Sequence, residues 1–271
     1  MTKDAVLAIL RKENDYISGE HISRLLGVSR AAVNTAVKAL RADGYEISSS
    51  TNKGYHLDAV PNSISAQELA AYLDEARMQT VECLASVDST NNRLRELALA
   101  GAPNGQVVLA NEQTQGKGRR GRAFASPQDN GIYLSILFHP DTLPTDIVEI
   151  TAWTAVATNN AIEEVCGVRA GIKWVNDLVI DRKKICGILT EMSVESESGY
   201  IQYLIIGIGI NVNGQAEDFP AEIRSTATSL AMETGKTHSR AALAAALIRE
   251  LDSMCRAWPK EKTEYLEAYR R

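Results

Sequence analysis

Four cations and three glycines crowd into seven residues, Gly116-Lys117-Gly118-Arg119-Arg120-Gly121-Arg122. Glycine lets backbone N–H groups come close to an anion, and interleaved Lys and Arg neutralise its charge. The run therefore reads as a loop that orders around a negatively charged ligand. The competing reading is a nonspecific nucleic-acid patch. It fits less well, because the loop lies in an acidic part of the chain between strands expected near 106–111 and 131–138. A second stretch, Lys173-Trp174-Val175-Asn176-Asp177, leads through apolar residues and a polar turn to Lys184. A cation, an amide, a carboxylate and a second cation thus gather about one turn. A third, Asp88-Ser89-Thr90-Asn91-Asn92, stands where a strand passes into a helix. Taken alone it is an N-cap, with Ser89 or Thr90 capping the helix. The same groups are also suited to hydrogen-bonding a polar ring.

Two phosphate motifs fail on inspection. Gly207-Ile208-Gly209 follows a strand, but Val212 occupies the position where a dinucleotide fingerprint needs glycine. Gly116-Lys117 is followed by Gly118 instead of Ser or Thr, so there is no P-loop. Cys83, Cys166, Cys186 and Cys255 show no C-x-x-C spacing and read as buried apolar residues. His21, His56, His139 and His238 are equally scattered, so no zinc site is expected.

The elements that must position these groups follow from length and periodicity. The 271 residues suggest two domains, and 45% apolar with 23% charged residues describes an ordinary globular chain. The longest apolar run, Tyr203 to Ile210, is far short of the ~20 residues of a membrane helix. The N-terminus lacks a signal-peptide stretch, so a cytoplasmic location without membrane contact is expected. Val60-Pro61-Asn62-Ser63 breaks the pattern and places a boundary near residue 61, after which Ser65 opens a helix. Beyond it, strands are expected near 81–87, 106–111, 131–138, 172–180, 185–193 and 201–212. Helices are expected near 90–100, 146–165 and 239–257. Consecutive hairpin-linked strands argue for an α+β domain with a mixed sheet.

Residues 1–60 differ in character, carrying +1 of charge while the remainder carries −6. Ala5, Val6, Ile9 and Leu10 mark a first helix, and Gly19 to Leu26 a second that ends at Gly27. Ser29 caps a third from Arg30 to Ala42, with Val33, Val37 and Leu40 as its apolar stripe. A hairpin follows, with Lys53 near its tip. This is a winged helix-turn-helix spanning 1–60. The polar face of the third helix offers Ser29, Arg30, Asn34, Thr35, Lys38 and Arg41, donors suited to phosphates and base edges. The charge is modest, so specific binding should need two copies on a two-fold DNA site.

Taken together, the three chemistry-bearing segments resemble the biotin protein ligases of the bifunctional bacterial type. The resemblance rests on D-S-T-N (88–91), Q-T-x-G-K-G-R-x-G-R (113–122), K-W-x-N-D (173–177), K-x-x-G-I-L (184–189) and G-I-N-V-N (209–213). It implies a ligase domain at 61–271 that joins biotin to ATP as biotinyl-5′-AMP. Biotin then passes to a lysine of the biotin carboxyl carrier domain of a carboxylase. The winged helix would repress transcription at operator DNA, as a homodimer in the adenylate-bound state. It also implies roles for individual residues. Ser89, Thr90, Asn91 and Gln113 would hold the biotin ring. Lys117, Gly118 and Arg119 would fold over the chain and adenylate, and Lys117 stands where many relatives have arginine. Arg119 and Lys184 would neutralise the reacting carboxylate and α-phosphate. Arg122, Lys173, Asn176, Asp177 and Asn211 would order the nucleotide, with Asp177 near Mg²⁺. Relatives continue into a small β-rich C-terminal domain, whereas this chain ends in a helix-like charged tail. Two other readings are a biotin-sensing repressor with little ligase activity and a lipoate-type ligase.

Overall fold

The computed structural model describes residues 2–260 together with 265, 267 and 269. The chain divides into two compact units, Met1–Asn62 and Ser63–Arg271. The helix-like tail expected at the end of the chain lies largely outside the described residues.

The first unit is three helices and a hairpin: α1 (Thr2–Lys12), α2 (Gly19–Leu26), α3 (Arg30–Ala42), β1 (Glu46–Ser50) and β2 (Gly54–Ala59). Ser18 caps α2 and Ser29 caps α3, each accepting from the N–H three residues on. Gly27 takes φ +64° at the end of α2, a conformation that glycine tolerates best. Val6, Leu10, Ile22, Val33, Val37 and Leu40 form the core.

The second unit begins with two single-turn helices, α4 (Ala66–Leu69) and α5 (Glu75–Met78). A seven-stranded sheet is then built from β3 (Val81–Leu84), β4 (Val107–Ala110), β5 (Gly131–Phe138), β6 (Gly171–Lys173), β7 (Asp177–Ile180), β8 (Lys183–Val194) and β9 (Ile201–Asn211). Its order is β3-β4-β5-β9-β8-β7-β6. Only the β3–β4 pair is parallel, so the sheet is mixed. The helices are α6 (Thr90–Leu99), α7 (Ile147–Cys166), α8 (Leu230–Thr234) and α9 (Arg240–Ala257). The alanine-rich α9 packs beside α7 in one cluster with Leu134, Ile136, Ile206 and Ile208 of the sheet. The opposite face carries α6, whose Leu94 and Leu97 cover Val108, Leu137 and Ile205.

One expectation needs correcting. The stretch expected as a single strand over 172–180 is a tight hairpin, β6 and β7 about residues 174–176. Polar Asn176 and Asp177 stop an apolar run from continuing. Asn176 instead turns its amide onto the carbonyl of Ile188 (2.9 Å).

Candidate active site and nucleic-acid interface

Successive side chains of a strand point to opposite faces of its sheet. On β9 this puts Leu204, Ile206, Ile208 and Ile210 in the core, and Ile205, Gly207, Gly209 and Asn211 on the α6 side. The pairing aligns Leu137-Ile205-Glu191, then Ser135-Gly207-Leu189, then Tyr133-Gly209-Gly187 across β5, β9 and β8. The α6 side is therefore apolar beneath the helix, polar at its N-terminus and bare glycine beyond. A cleft of about 450 Å³ opens over that bare end.

The glycines of β9 are required by what lies on them. A Cβ on Gly207 would stand 2.3 Å from Asn91 Oδ1, and one on Gly209 2.4 Å from the Phe124 ring. A Cβ on Gly187 would stand 2.8 Å from Lys184 Nζ. The rejected dinucleotide motif is thus a strand whose alternate glycines form the floor of a cavity.

Ser89, Thr90 and Asn91, all buried, enter the cavity at the first turn of α6. The expected hydroxyl cap is not what the structure shows. Ser89 occupies the N-cap position but makes no side-chain cap bond. Gln113 does this work from the segment that follows β4, its Oε1 accepting from the Thr90 N–H (2.9 Å) and the Thr90 hydroxyl (3.0 Å). The Ser89 hydroxyl is thereby left to the cavity that it lines. Gln113 Nε2 donates to Ser126 Oγ (2.9 Å), which donates to the Phe124 carbonyl (3.1 Å).

That chain of bonds anchors both ends of the basic loop. Gly116 accepts from the Phe124 N–H (2.9 Å), and Gly118 donates to the Arg122 carbonyl (2.7 Å). At Gly116 only glycine fits, because a Cβ would meet the Phe124 carbonyl at 2.3 Å. The tip turns through Arg120 and Gly121, both at positive φ. Lys117 bonds the Asn92 amide oxygen, and Arg119 donates to Asn176 Oδ1 (3.1 Å). The Lys117 ammonium, the Asn92 amide and the Ser89 N–H hold the Asp88 carboxyl below its ordinary range; the Asn92 bond is the largest cause.

A second cleft of about 1000 Å³ adjoins the first and shares Phe124 and Lys184 with it. Arg122, Lys173, Asp177 and Asn211 line it. Lys184 Nζ lies 2.7 Å from Asp177 Oδ1 and 6.0 Å from the Phe124 ring centroid. Its backbone is clamped from a segment that sequence reading missed: it donates to the Thr226 carbonyl (2.8 Å) and accepts from Thr228 (3.0 Å). Asn211 holds the same segment, donating to the Thr228 carbonyl (3.0 Å). Of the residues expected around nucleotide, Arg119 and Asn176 line the first cleft instead of the second. Phe124, Gly187, Gly207, Gly209, Ser135 and Glu191 were not singled out as site residues. The glycines at every second residue of one strand carried a readable signal. Ser135 and Glu191 carried none.

In the N-terminal unit, Arg30, Asn34 and Lys38 stand four residues apart along one exposed strip of α3, beside the buried stripe of Val33, Val37 and Leu40. No side-chain partner holds them among the described residues. Arg30 and Asn34 border a groove with Ser18, Ser50, Asn52 and Tyr55. Lys53 sits over the Tyr16 ring, 5.9 Å from its centroid. The Ser29 hydroxyl is engaged as the cap of α3 and Thr35 bonds the Ala31 carbonyl (3.0 Å). Arg41 is a correction to the expected set of readers. Its guanidinium grips the Ile47 carbonyl (2.9 and 2.6 Å) and Ser49 Oγ (2.6 Å), bracing the wing.

A glycine-floored polar cleft joined to a cation-lined one, in a chain that also carries a winged helix, defines an adenylating ligase with a DNA-binding module. The model of the Biotin/lipoate A/B protein ligase family matches residues 83–211, and an HTH domain model matches 2–56. The Bacillus subtilis bifunctional ligase/repressor BirA is 39% identical over 242 residues, covering 89% of this chain and 74% of that protein. The Escherichia coli bifunctional ligase/repressor BirA is 29% identical, covering 94% and 77%. Among solved structures, the Aquifex aeolicus biotin protein ligase in complex with biotin and ATP superposes with TM-score 0.60 at 30% identity. That match covers 70% of this chain and 76% of the other. This chain belongs to the biotin protein ligases, in the branch of bifunctional ligase/repressors.

Proposed function

We propose that the chain is an ATP-dependent biotin ligase that forms biotinyl-5′-AMP and passes biotin to a carrier-domain lysine, and that its winged helix represses transcription at operator DNA. The observation that carries the ligase reading is Lys184, which stands where the two clefts meet. Biotin's ring would lie against Ser89, Thr90, Asn91 and Gln113, and its valerate would run toward Lys184 beneath Lys117, Gly118 and Arg119. ATP would occupy the second cleft, with Arg122 and Lys173 about its phosphates and Asn211 beside the adenylate.

A carboxylate oxygen of biotin attacks the α-phosphorus, a new P–O bond forms, the α–β bridge breaks and pyrophosphate leaves. Two anions must approach each other, so fixed cations are the chief requirement, and no acid–base pair is needed. Lys184 is already held by Asp177 and by segment 226–228, which limits its reorganisation during reaction. In the second step the neutral amine of the carrier lysine attacks the acyl carbon, and AMP leaves with the former carboxylate oxygen.

Asp177 is the one carboxylate lining the second cleft, and no cluster of three His, Cys, Asp or Glu occurs among the described residues. This donor set fits a Mg²⁺ held mainly by nucleotide phosphates, with Asp177 at its edge, and does not fit an all-protein cage. The ion would add to the neutralisation of phosphate charge. The test is incubation with biotin, Mg²⁺-ATP and a carboxylase carrier domain, expecting pyrophosphate and one biotinylated lysine. Adenylate formed from lipoate and not from biotin overturns the reading.

For the repressor half, Arg30, Asn34 and Lys38 would meet a major groove while Lys53 on the wing meets phosphate. Three cations per copy neutralise few phosphates, which favours a homodimer on a two-fold operator. Sedimentation with and without biotin plus ATP tests this: a dimer is expected only with both.

A further inference from the structure

The K-W-x-N-D resemblance assigns Asn176 to the nucleotide, but the fold sets it elsewhere. Asn176 lines the first cleft beside Arg119, Gly187 and Ile188, and the lining of the second does not include it. Its backbone and its side chain are both tied to β8. The Asn176 carbonyl accepts from the Ile188 N–H (2.8 Å), and Nδ2 donates to the Ile188 carbonyl (2.9 Å). A carbonyl oxygen only accepts, so the amide must turn Nδ2 to Ile188 and Oδ1 away from it. That Oδ1 accepts from Arg119 Nη1 (3.1 Å).

Arg119 reaches this wall from the basic loop, next to the positive-φ turn at Arg120. Among the described residues no other side chain holds it. The arginine stem is flexible, whereas its guanidinium is a planar fork of donors. Holding Nη1 on Asn176 confines that plane and leaves the Nε and Nη2 hydrogens for an incoming oxyanion. Donors placed before charge develops need not reorganise when it does.

We infer that Asn176 is a positioning residue that acts on adenylate formation through Arg119, pinning the guanidinium of the basic loop to the β6–β7 turn, and is not a ligand of the nucleotide. The inference rests on the ligase reading and deepens it, since Arg119 there neutralises the reacting carboxylate and α-phosphate. Without the anchor the charge of Arg119 remains and its placement is lost. The cost therefore falls on the rate of the chemical step and not on the affinity for ATP.

Asn176→Leu in the full chain removes the anchor and keeps a side chain of similar size. Pyrophosphate release at saturating biotin and Mg²⁺-ATP should slow about tenfold, with the KM for ATP within about twofold of wild type. The decisive measurement is a double-mutant cycle with Arg119→Met. It is read by single-turnover formation of labelled biotinyl-adenylate with enzyme in excess, which follows rates far below those of turnover. Where Arg119 is already gone, N176L should add less than about a twofold loss. A residue that only braces the turn, or one that touches substrate directly, costs the same in both backgrounds. Equal losses with and without Arg119, a raised KM for ATP at an unchanged rate, or a wild-type rate in N176L overturns the inference and leaves the ligase reading standing. A wild-type chain that forms no adenylate from biotin overturns the ligase reading itself, and this inference with it.

Discussion

The two polar surfaces of this protein are built on opposite plans. In and behind the first cleft, Thr90, Asn91, Gln113, Ser126, Ser135 and Glu191 hold one another through bonds of 2.6 to 3.0 Å. On α3, Arg30, Asn34 and Lys38 are exposed and no neighbour among the described residues fixes them. The contrast follows from what each surface meets. A site that drives two anions together gains most from groups fixed before the reaction, in a cleft that excludes water. A surface that tracks along a phosphate backbone gains from mobile, hydrated cations that displace counterions.

The largest expected effect lies at the junction of the clefts. Lys184→Ala should lower adenylate formation by at least about a hundredfold, judged by pyrophosphate release, with the thermal melt little changed. Its side chain is one-third exposed, so the fold does not depend on it. A wild-type burst of biotinyl-adenylate from this variant breaks the assignment.

Next are the glycines of the floor. Gly209→Ala places a methyl 2.4 Å from the Phe124 ring, and Gly207→Ala one 2.3 Å from Asn91 Oδ1. Each should destabilise by roughly 1–3 kcal/mol, and Gly207→Ala should in addition weaken biotin binding by disturbing Asn91. Calorimetry and thermal unfolding read the two effects separately.

A smaller effect is expected on the loose surface. Arg30→Ala should reduce operator affinity and lower the slope of log K against log salt by about one, while ligation is untouched. Arg41→Ala should behave differently: because it removes a brace of the wing, it should lower the stability of the N-terminal unit as well as DNA affinity. Equal behaviour of the two variants would dissolve the distinction between readers and brace.

The smallest effect is predicted for the cysteines. Burial pushes the thiols of Cys83, Cys186 and Cys255 up to about 12 and that of Cys166 to about 11. All four stay protonated at pH 8, where the thiolate is the reactive form. Iodoacetamide at that pH should leave ligase activity unchanged over the time that labels a free thiol completely.

Helix spans in the N-terminal unit could be read directly, because the capping serine at 29 and the glycine at 27 act within a few residues. The long helix α7 and the strand β9 were likewise marked by their own apolar patterns. The chemistry-bearing motifs at 88–91, 113–122, 173–177 and 184–189 were visible as residue types. What they touch was not. Ser89 looked like a cap, and only the arrival of Gln113 from 24 positions along the chain removes that role. Arg41 looked like one more DNA cation, and only the fold of the wing claims its guanidinium.

The sequence by itself determined where helices start and stop, which segments carry charge, and which family the motifs resemble, because these depend on neighbours within a few residues. The tertiary structure decided which of those polar groups face a cleft and which are tied into the fold. It joined Ser135, Glu191 and Thr228 to groups far from them in sequence. Hydrogen-bond partners of that kind are set by sheet register and helix packing, which no local pattern encodes.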